Sequence, residues 1–190
     1  MCGRYQFSEA EDTAWIADEA RRQLGAEAWK PGDVCPGDRA PVLLGALAQP
    51  ELRLFSWGYP ARGKLIINAR SETAAEKPLF RDGVSRNRCL IPATGFYEWD
   101  DRKRKSLFRL PEAGLLYMGG VYARLEGLLR FCILTTAAND SVSPVHPRMP
   151  LVLTAEAAEA WLSGAEAAPL LRTVPPALER RSEEDQLSLW

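Results

Sequence analysis

Residues 89–136 read CLIPATGFYEWDDRKRKSLFRLPEAGLLYMGGVYARLEGLLRFCILTT. Five short runs stand out in this stretch: Cys89–Ile91, Gly95–Trp99, Leu107–Leu110, Leu115–Tyr122 and Leu128–Thr136. Each is apolar or alternating and rich in β-branched and aromatic residues, which predicts a strand. No helix-length segment of suitable period separates them, so neighbouring strands are expected to pair antiparallel. Working outward, Ala40–Leu47, Arg53–Trp57 and Lys64–Asn68 read the same way upstream, and Leu151–Leu153 downstream. Helices are few. Ser8 with Glu11 three residues later is a capping-box pattern that predicts a helix as far as Leu24, stopped by Gly25. Thr154 is placed to cap a second helix, Ala155–Leu162. The expected fold class is therefore α+β: a single domain with a mostly antiparallel, β-rich core and flanking helices. The domain is expected over residues 1–175. Pro175-Pro176 then leads into a polar tail, 176–190, of which Glu179 to Gln186 is expected to be loosely held.

With 190 residues, 46% of them hydrophobic and 26% charged, the chain is long enough to bury a sizeable core. No apolar run approaches the roughly 20 residues of a membrane span. The start, Met1-Cys2-Gly3-Arg4-Tyr5, leads into acidic residues rather than an apolar secretory segment, so a cytoplasmic protein is expected. The cysteines, Cys2, Cys35, Cys89 and Cys132, are far apart, form no Cys-x-x-Cys pair and are joined by a single histidine, His146. Neither disulfides nor a metal site is expected, and no cofactor motif is visible. Net charge is -1, yet Gly58 to Leu110 holds twelve Lys/Arg against six Asp/Glu. That surplus suits a local anion-binding groove, although a solvated charged surface explains the same numbers.

A few residues have chemistry beyond packing. Cys2 would carry a free α-amine beside its thiol once Met1 is removed. Such a 1,2-aminothiol condenses with an aldehyde, the amine giving an imine and the sulfur closing a five-membered thiazolidine ring. A small residue tolerated near a chain end is the plainer reading of Cys2. Glu98 lies in an aromatic strand, where desolvation raises a carboxyl pKa toward the range useful for proton transfer; an exposed acid on an edge strand is the alternative. Strand alternation places Glu98 on one face with Phe96, and Tyr97 and Trp99 on the other. His146 is held between Val145 and Pro147 in a loop that two prolines stiffen. Asn68 could orient an amine or carbonyl and Arg70 a phosphate, or the two could be a cap and a solvated helical face. Trp57-Gly58-Tyr59 offers rings on which a base could stack, or rings for the core.

Six blocks in order carry a family resemblance: Met1-Cys2-Gly3-Arg4, Trp57-Gly58, Asn68-Ala69-Arg70-Ser71-Glu72-Thr73, Arg88-Cys89-Leu90-Ile91-Pro92, Gly95-Phe96-Tyr97-Glu98-Trp99 and His146-Pro147-Arg148-Met149-Pro150. In these the chain resembles the SRAP family, the SOS-response-associated peptidases or abasic-site processing proteins. The resemblance implies recognition of abasic sites in single-stranded DNA and a reversible thiazolidine crosslink through Cys2. It implies catalytic roles for Cys2, Asn68 (holding the Cys2 amine), Glu98 (shuttling protons) and His146 (near the sugar). DNA contacts are implied for Arg4, Arg70 and Arg148, with Pro36 and Trp57 bordering the strand and Lys77 or Arg81 adding a phosphate contact. It further implies self-removal of Met1 as the meaning of the peptidase label, with residual lyase activity if Cys2 is lost. A monomer that meets replication-fork proteins is the expected setting. Asp33-Val34-Cys35-Pro36 departs from the family pattern by placing an acid in the groove, and Met118-Gly119-Gly120-Val121-Tyr122 departs within the core. Two rival readings are a cysteine peptidase acting on other proteins and a non-covalent single-strand DNA-binding module.

Overall fold

Turn chemistry sets where the strands of the 89–136 stretch stop. In the computed structural model, which describes residues 2–8, 13–25, 29, 31–112 and 114–182, Leu125 pairs with Leu128 across a two-residue turn. Its residues, Glu126 and Gly127, have φ of 51° and 77°, the geometry whose twist matches a right-handed hairpin. Asp100 organises the turn from residue 99 to 105: its carboxylate accepts from the backbone N–H groups of Arg102 and Arg104, both at 2.9 Å.

In chain order the elements are β1 (Arg4–Phe7), α1 (Ala14–Leu24), β2 (Gly32–Val34), β3 (Arg39–Leu44), β4 (Glu51–Trp57), β5 (Tyr59–Ala61), β6 (Lys64–Ile66), β7 (Asn68–Arg70), α2 (Ser71–Ala74) and α3 (Arg81–Arg86). There follow β8 (Arg88–Ala93), β9 (Gly95–Trp99), β10 (Lys105–Arg109), β11 (Leu116–Leu125), β12 (Leu128–Ala137), β13 (Arg148–Pro150), β14 (Val152–Leu153), α4 (Ala155–Leu162), α5 (Ala167–Leu171) and β15 (Glu179–Ser182). The expected α+β class with a β-rich core is what forms. One sheet runs β15-β10-β9-β1-β2. The other runs β13-β12-β4-β3-β8-β11-β14 and closes on itself through the β11–β12 pairing, giving a barrel-like core. Pairing is antiparallel except where β12 meets β4 and β7.

Two apolar clusters fill this frame. One lies between the sheets around Phe55, Trp57, Phe96, Phe108 and Phe131. The other lies under the helices around Ile16, Leu52, Phe80 and Trp161. Trp161 shows how a helix is fastened. Thr154 caps α4 as expected, accepting from the Ala157 N–H at 3.3 Å. The fully buried indole then donates to the carbonyls of Cys89 and Gly120 at 3.1 and 3.3 Å. Gly120 is required there, because a Cβ would come within 2.3 Å of Ile91 Cδ1 and 3.0 Å of the Cys132 carbonyl.

Several boundaries differ from expectation. The first helix begins at Ala14, not at Ser8, whose N–H donates to the Thr94 hydroxyl at 2.9 Å; Glu11 lies outside the described residues. Part of the expected loose tail is strand. The Asn139 amide donates to the carbonyls of Pro175 and Pro176 at 3.1 and 2.9 Å, and Glu179–Ser182 then pairs along β10. Among the described residues no helix is long and apolar enough to cross a membrane.

Candidate functional site

Asn68, Glu98, His146 and Cys2 come from four separate parts of the chain and meet at one edge of the two sheets. The central strand β12 explains half of this. Asn68 pairs beside Ile133, and β13 returns along the end of β12, so that the Ala138 N–H meets the Pro147 carbonyl at 3.0 Å. That contact fixes the loop carrying His146. The other half comes from β1 and β9, where Arg4 pairs with Tyr97 and Tyr5 with Phe96. Continued by two residues, this register sets Cys2 beside the Glu98–Trp99 end of β9.

The Asn68 Nδ2 donates to the Cys2 carbonyl oxygen at 2.8 Å. Its other amide atom, Oδ1, is buried with no hydrogen-bond partner among the described residues, an acceptor whose desolvation costs about 1–3 kcal/mol while unmatched. Glu98 faces inward with Phe96, as alternation predicts, and is 2% exposed. Burial raises its pKa above the ordinary carboxylate value, opposed in part by His146, whose Nδ1 lies 4.0 Å from Glu98 Oε1. The same Nδ1 lies 3.0 Å from both the backbone N–H and the carbonyl oxygen of Arg148, which hold the ring in place. Cys2 is fully buried, and its sulfur lies 3.5 Å from the Arg4 carbonyl. Burial first, and the Glu98 charge second, push its thiol pKa well up, so sulfur waits as the thiol. The site thus combines a buried carboxyl, an imidazole, an amide and a buried thiol.

The residues expected to contact DNA separate into two groups. Arg4 is 39% exposed at the side chain, with its guanidinium 5.9 Å from the Trp99 ring and 3.7 Å from Asp33. Asp33, the acid that departs from the family pattern, also accepts from the Tyr97 hydroxyl at 3.2 Å. It therefore fastens Arg4 and Tyr97 side by side on the outer face. Arg70 and Lys77 are exposed and, with Asn68, Ile66, Ala69 and residues 78–80, line a pocket of about 530 Å³. Pro36 is exposed in the turn closed by Asp38. Arg81 is exposed, outside that pocket, and 3.7 Å from Asp82.

Two expected contacts are used elsewhere. Trp57 is 0% exposed. It stacks on Phe131 at 6.2 Å, and its N–H donates to the Ile67 carbonyl at 3.0 Å, so no ring face is left for a base. Inward alternation of β4 is the cause. Arg148 forms a two-pronged ion pair with Glu72 and donates to the Thr135 carbonyl at 2.6 Å. This pairing ties β13 to α2 and holds the Glu72 carboxyl below its usual pKa. The Arg148 Nη groups are engaged by protein, while its Nε–H is buried with no acceptor among the described residues. The residue that sequence reasoning passed over is Trp99. It follows Glu98, points the opposite way and remains partly exposed beside Arg4. The signal was there in the alternation of the strand.

Comparison with known proteins places the chain among relatives of known family. The family model described as SOS response associated peptidase (SRAP) matches residues 1–187. Abasic site processing protein YobE of Bacillus subtilis (strain 168) is 34% identical over 180 residues, 86% of this chain and 82% of its own. Abasic site processing protein YedK of Escherichia coli (strain K12) is 30% identical over 186 residues, 88% of this chain and 83% of its own. A crystal structure of a Bacteroides thetaiotaomicron protein shares the fold, with a TM-score of 0.78 at 24% identity over 98% of this chain and 94% of that one.

Proposed function

Because the chain belongs to the SRAP family, we propose that it processes abasic sites in single-stranded DNA, capturing the lesion as a thiazolidine on Cys2 after Met1 is removed. The observation that carries this reading is the bond from Asn68 to the Cys2 carbonyl, made in a pocket that also holds a buried Glu98 and His146. With Met1 gone, the Cys2 nitrogen becomes an amine, and the unmatched Asn68 Oδ1 is the acceptor suited to hold it.

The chemistry then balances as follows. The amine adds to C1′ of the ring-opened sugar aldehyde, and the resulting hydroxyl leaves as water when Glu98, whose acid form burial favours, gives it a proton. An imine remains. The Cys2 sulfur adds to the imine carbon, forming the C–S bond, and the thiol proton ends on nitrogen. The net change is loss of one water. Sulfur addition removes the imine, whose persistence would promote β-elimination and strand cleavage. Glu98 returns to its acid form by taking back the proton that the iminium nitrogen sheds as the imine forms, with His146 beside it as relay. Reversal follows the same steps backward. Full burial of Cys2 favours a small reactive aldehyde over a folded polypeptide as its target. The peptidase of the family's description fits hydrolysis of the Met1–Cys2 bond, the step that creates the amine.

Selective acetylation of the α-amine, leaving the thiol free, tests the reading against a cysteine peptidase. Capture requires the amine and is lost. Peptide hydrolysis by a Cys2–His146 pair persists if the peptidase reading is correct.

A further inference from the structure

The outer face of the sheet β15-β10-β9-β1-β2 carries a feature that the chemistry above does not use. Its register sets Arg4, Tyr97, Leu107 and Arg181 in one row across four strands. Arg109 lies two residues along from Leu107, on the same face. Next to Trp99, Lys105 places its ammonium 5.1 Å from the centre of the Tyr97 ring. Between them is a cleft of about 270 Å³, lined by Gln6, Tyr97, Lys105, Leu107, Arg109 and Arg181. Two independent observations mark it as a place for an anion. Three cationic side chains, Lys105, Arg109 and Arg181, converge there from two strands, and among the described residues Glu179 lies 3.6 Å from Arg181. In addition, the Arg109 Nε–H is buried with no acceptor among the described residues, a donor that calls for an oxygen.

We infer that this cleft binds a phosphodiester of the DNA strand flanking the lesion, so that the strand leaves the reactive pocket past Arg4 and Trp99 and runs across the outer face to Arg109 and Arg181. The inference rests on the DNA reading given above. A phosphate suits the cleft because forked guanidinium groups bind its oxygens in pairs.

The test compares wild type with Arg109→Gln/Arg181→Gln, using abasic oligonucleotides with one flanking nucleotide or with many on each side, and the matching intact strands. Wild type is expected to bind the long strand more tightly than the short. In the variant that advantage falls several-fold, and the slope of log affinity against log salt shrinks by about 0.7, the value for one phosphate on a single strand. Crosslinking of the short oligonucleotide is unchanged. Equal long-strand affinity and salt slope in both proteins would overturn the inference while leaving capture intact. Failure of wild type to crosslink either oligonucleotide would instead count against the DNA reading. Should the variant unfold, arginine-selective labelling of wild type decides: the long strand must protect Arg109 and Arg181 where the short one does not, and equal labelling overturns the cleft.

Discussion

The side-chain amide of Asn68 donates a hydrogen bond to the carbonyl of Cys2 at 2.8 Å, joining residues 66 apart in sequence. This bond aligns the chain start with the pocket before any DNA arrives. It also makes the position of the nucleophile depend on a residue of β7 and on the β12 strand beneath it.

Asn68→Ala is therefore expected to slow covalent capture about a hundredfold, the cost of a small misplacement of a reacting group. Binding of intact strands should change little, and stability should fall by roughly 1 kcal/mol. Single-turnover crosslinking and urea titration, run in parallel, separate the two effects. Undiminished capture would remove Asn68 from the reaction.

Glu98→Gln keeps shape and removes the proton. Capture and release should both slow by about 10²–10⁴-fold, the usual share of a general acid, with intact-strand affinity retained. The pH signs are fixed by the raised pKa. In the wild type, capture supported by the acid form declines as pH rises through the folded-state value. Stability also declines with rising pH between the ordinary carboxylate value and the folded one, because the unfolded chain ionises first. The glutamine variant should lose that stability slope, read as urea midpoint against pH. If it kept the slope, another group would be its source.

The two tryptophans should separate cleanly. Trp57→Ala empties a core position and should cost about 3–5 kcal/mol, seen as a large fall in unfolding midpoint. Trp99→Ala should leave the fold intact and weaken single-strand binding by about 1–3 kcal/mol, the worth of one stacked base. The reverse outcome would restore Trp57 to the strand path.

Arg148→Met breaks the pair with Glu72. The Glu72 carboxyl has a lowered pKa, so the pair's contribution is present above the ordinary carboxylate value and is lost as pH falls through the folded one. The variant should be less stable than wild type at neutral pH and converge with it in acid. Its DNA salt slope should match wild type, since both Nη groups are engaged by Glu72 and Thr135. A shallower slope would show that Arg148 contacts phosphate after all.

Much of this was legible in the sequence where signals are local. Gly95–Trp99 has the expected strand bounds, and the alternation that buries Glu98 with Phe96 is read directly from the side-chain period of two. Thr154 at the start of α4 is equally local. What escaped depends on distant pairing. β1 has only four residues and is held by Val34 on one side and Phe96 on the other. α3 has six residues, too few for a clear helical period. Trp57 and Trp99 look alike as aromatic strand residues; only the packing of the second sheet decides which ring is enclosed. Arg148 finds Glu72 across 76 residues, a pairing that no spacing reveals.

The most direct test of the central claim is the intact mass of the Met1-processed protein after incubation with single-stranded DNA bearing one abasic site, beside Cys2→Ala and intact-DNA controls. Capture predicts one new species at the mass of protein plus DNA minus one water, present only where Cys2 and the lesion coincide. No such species from protein with a verified free α-amine would contradict the account.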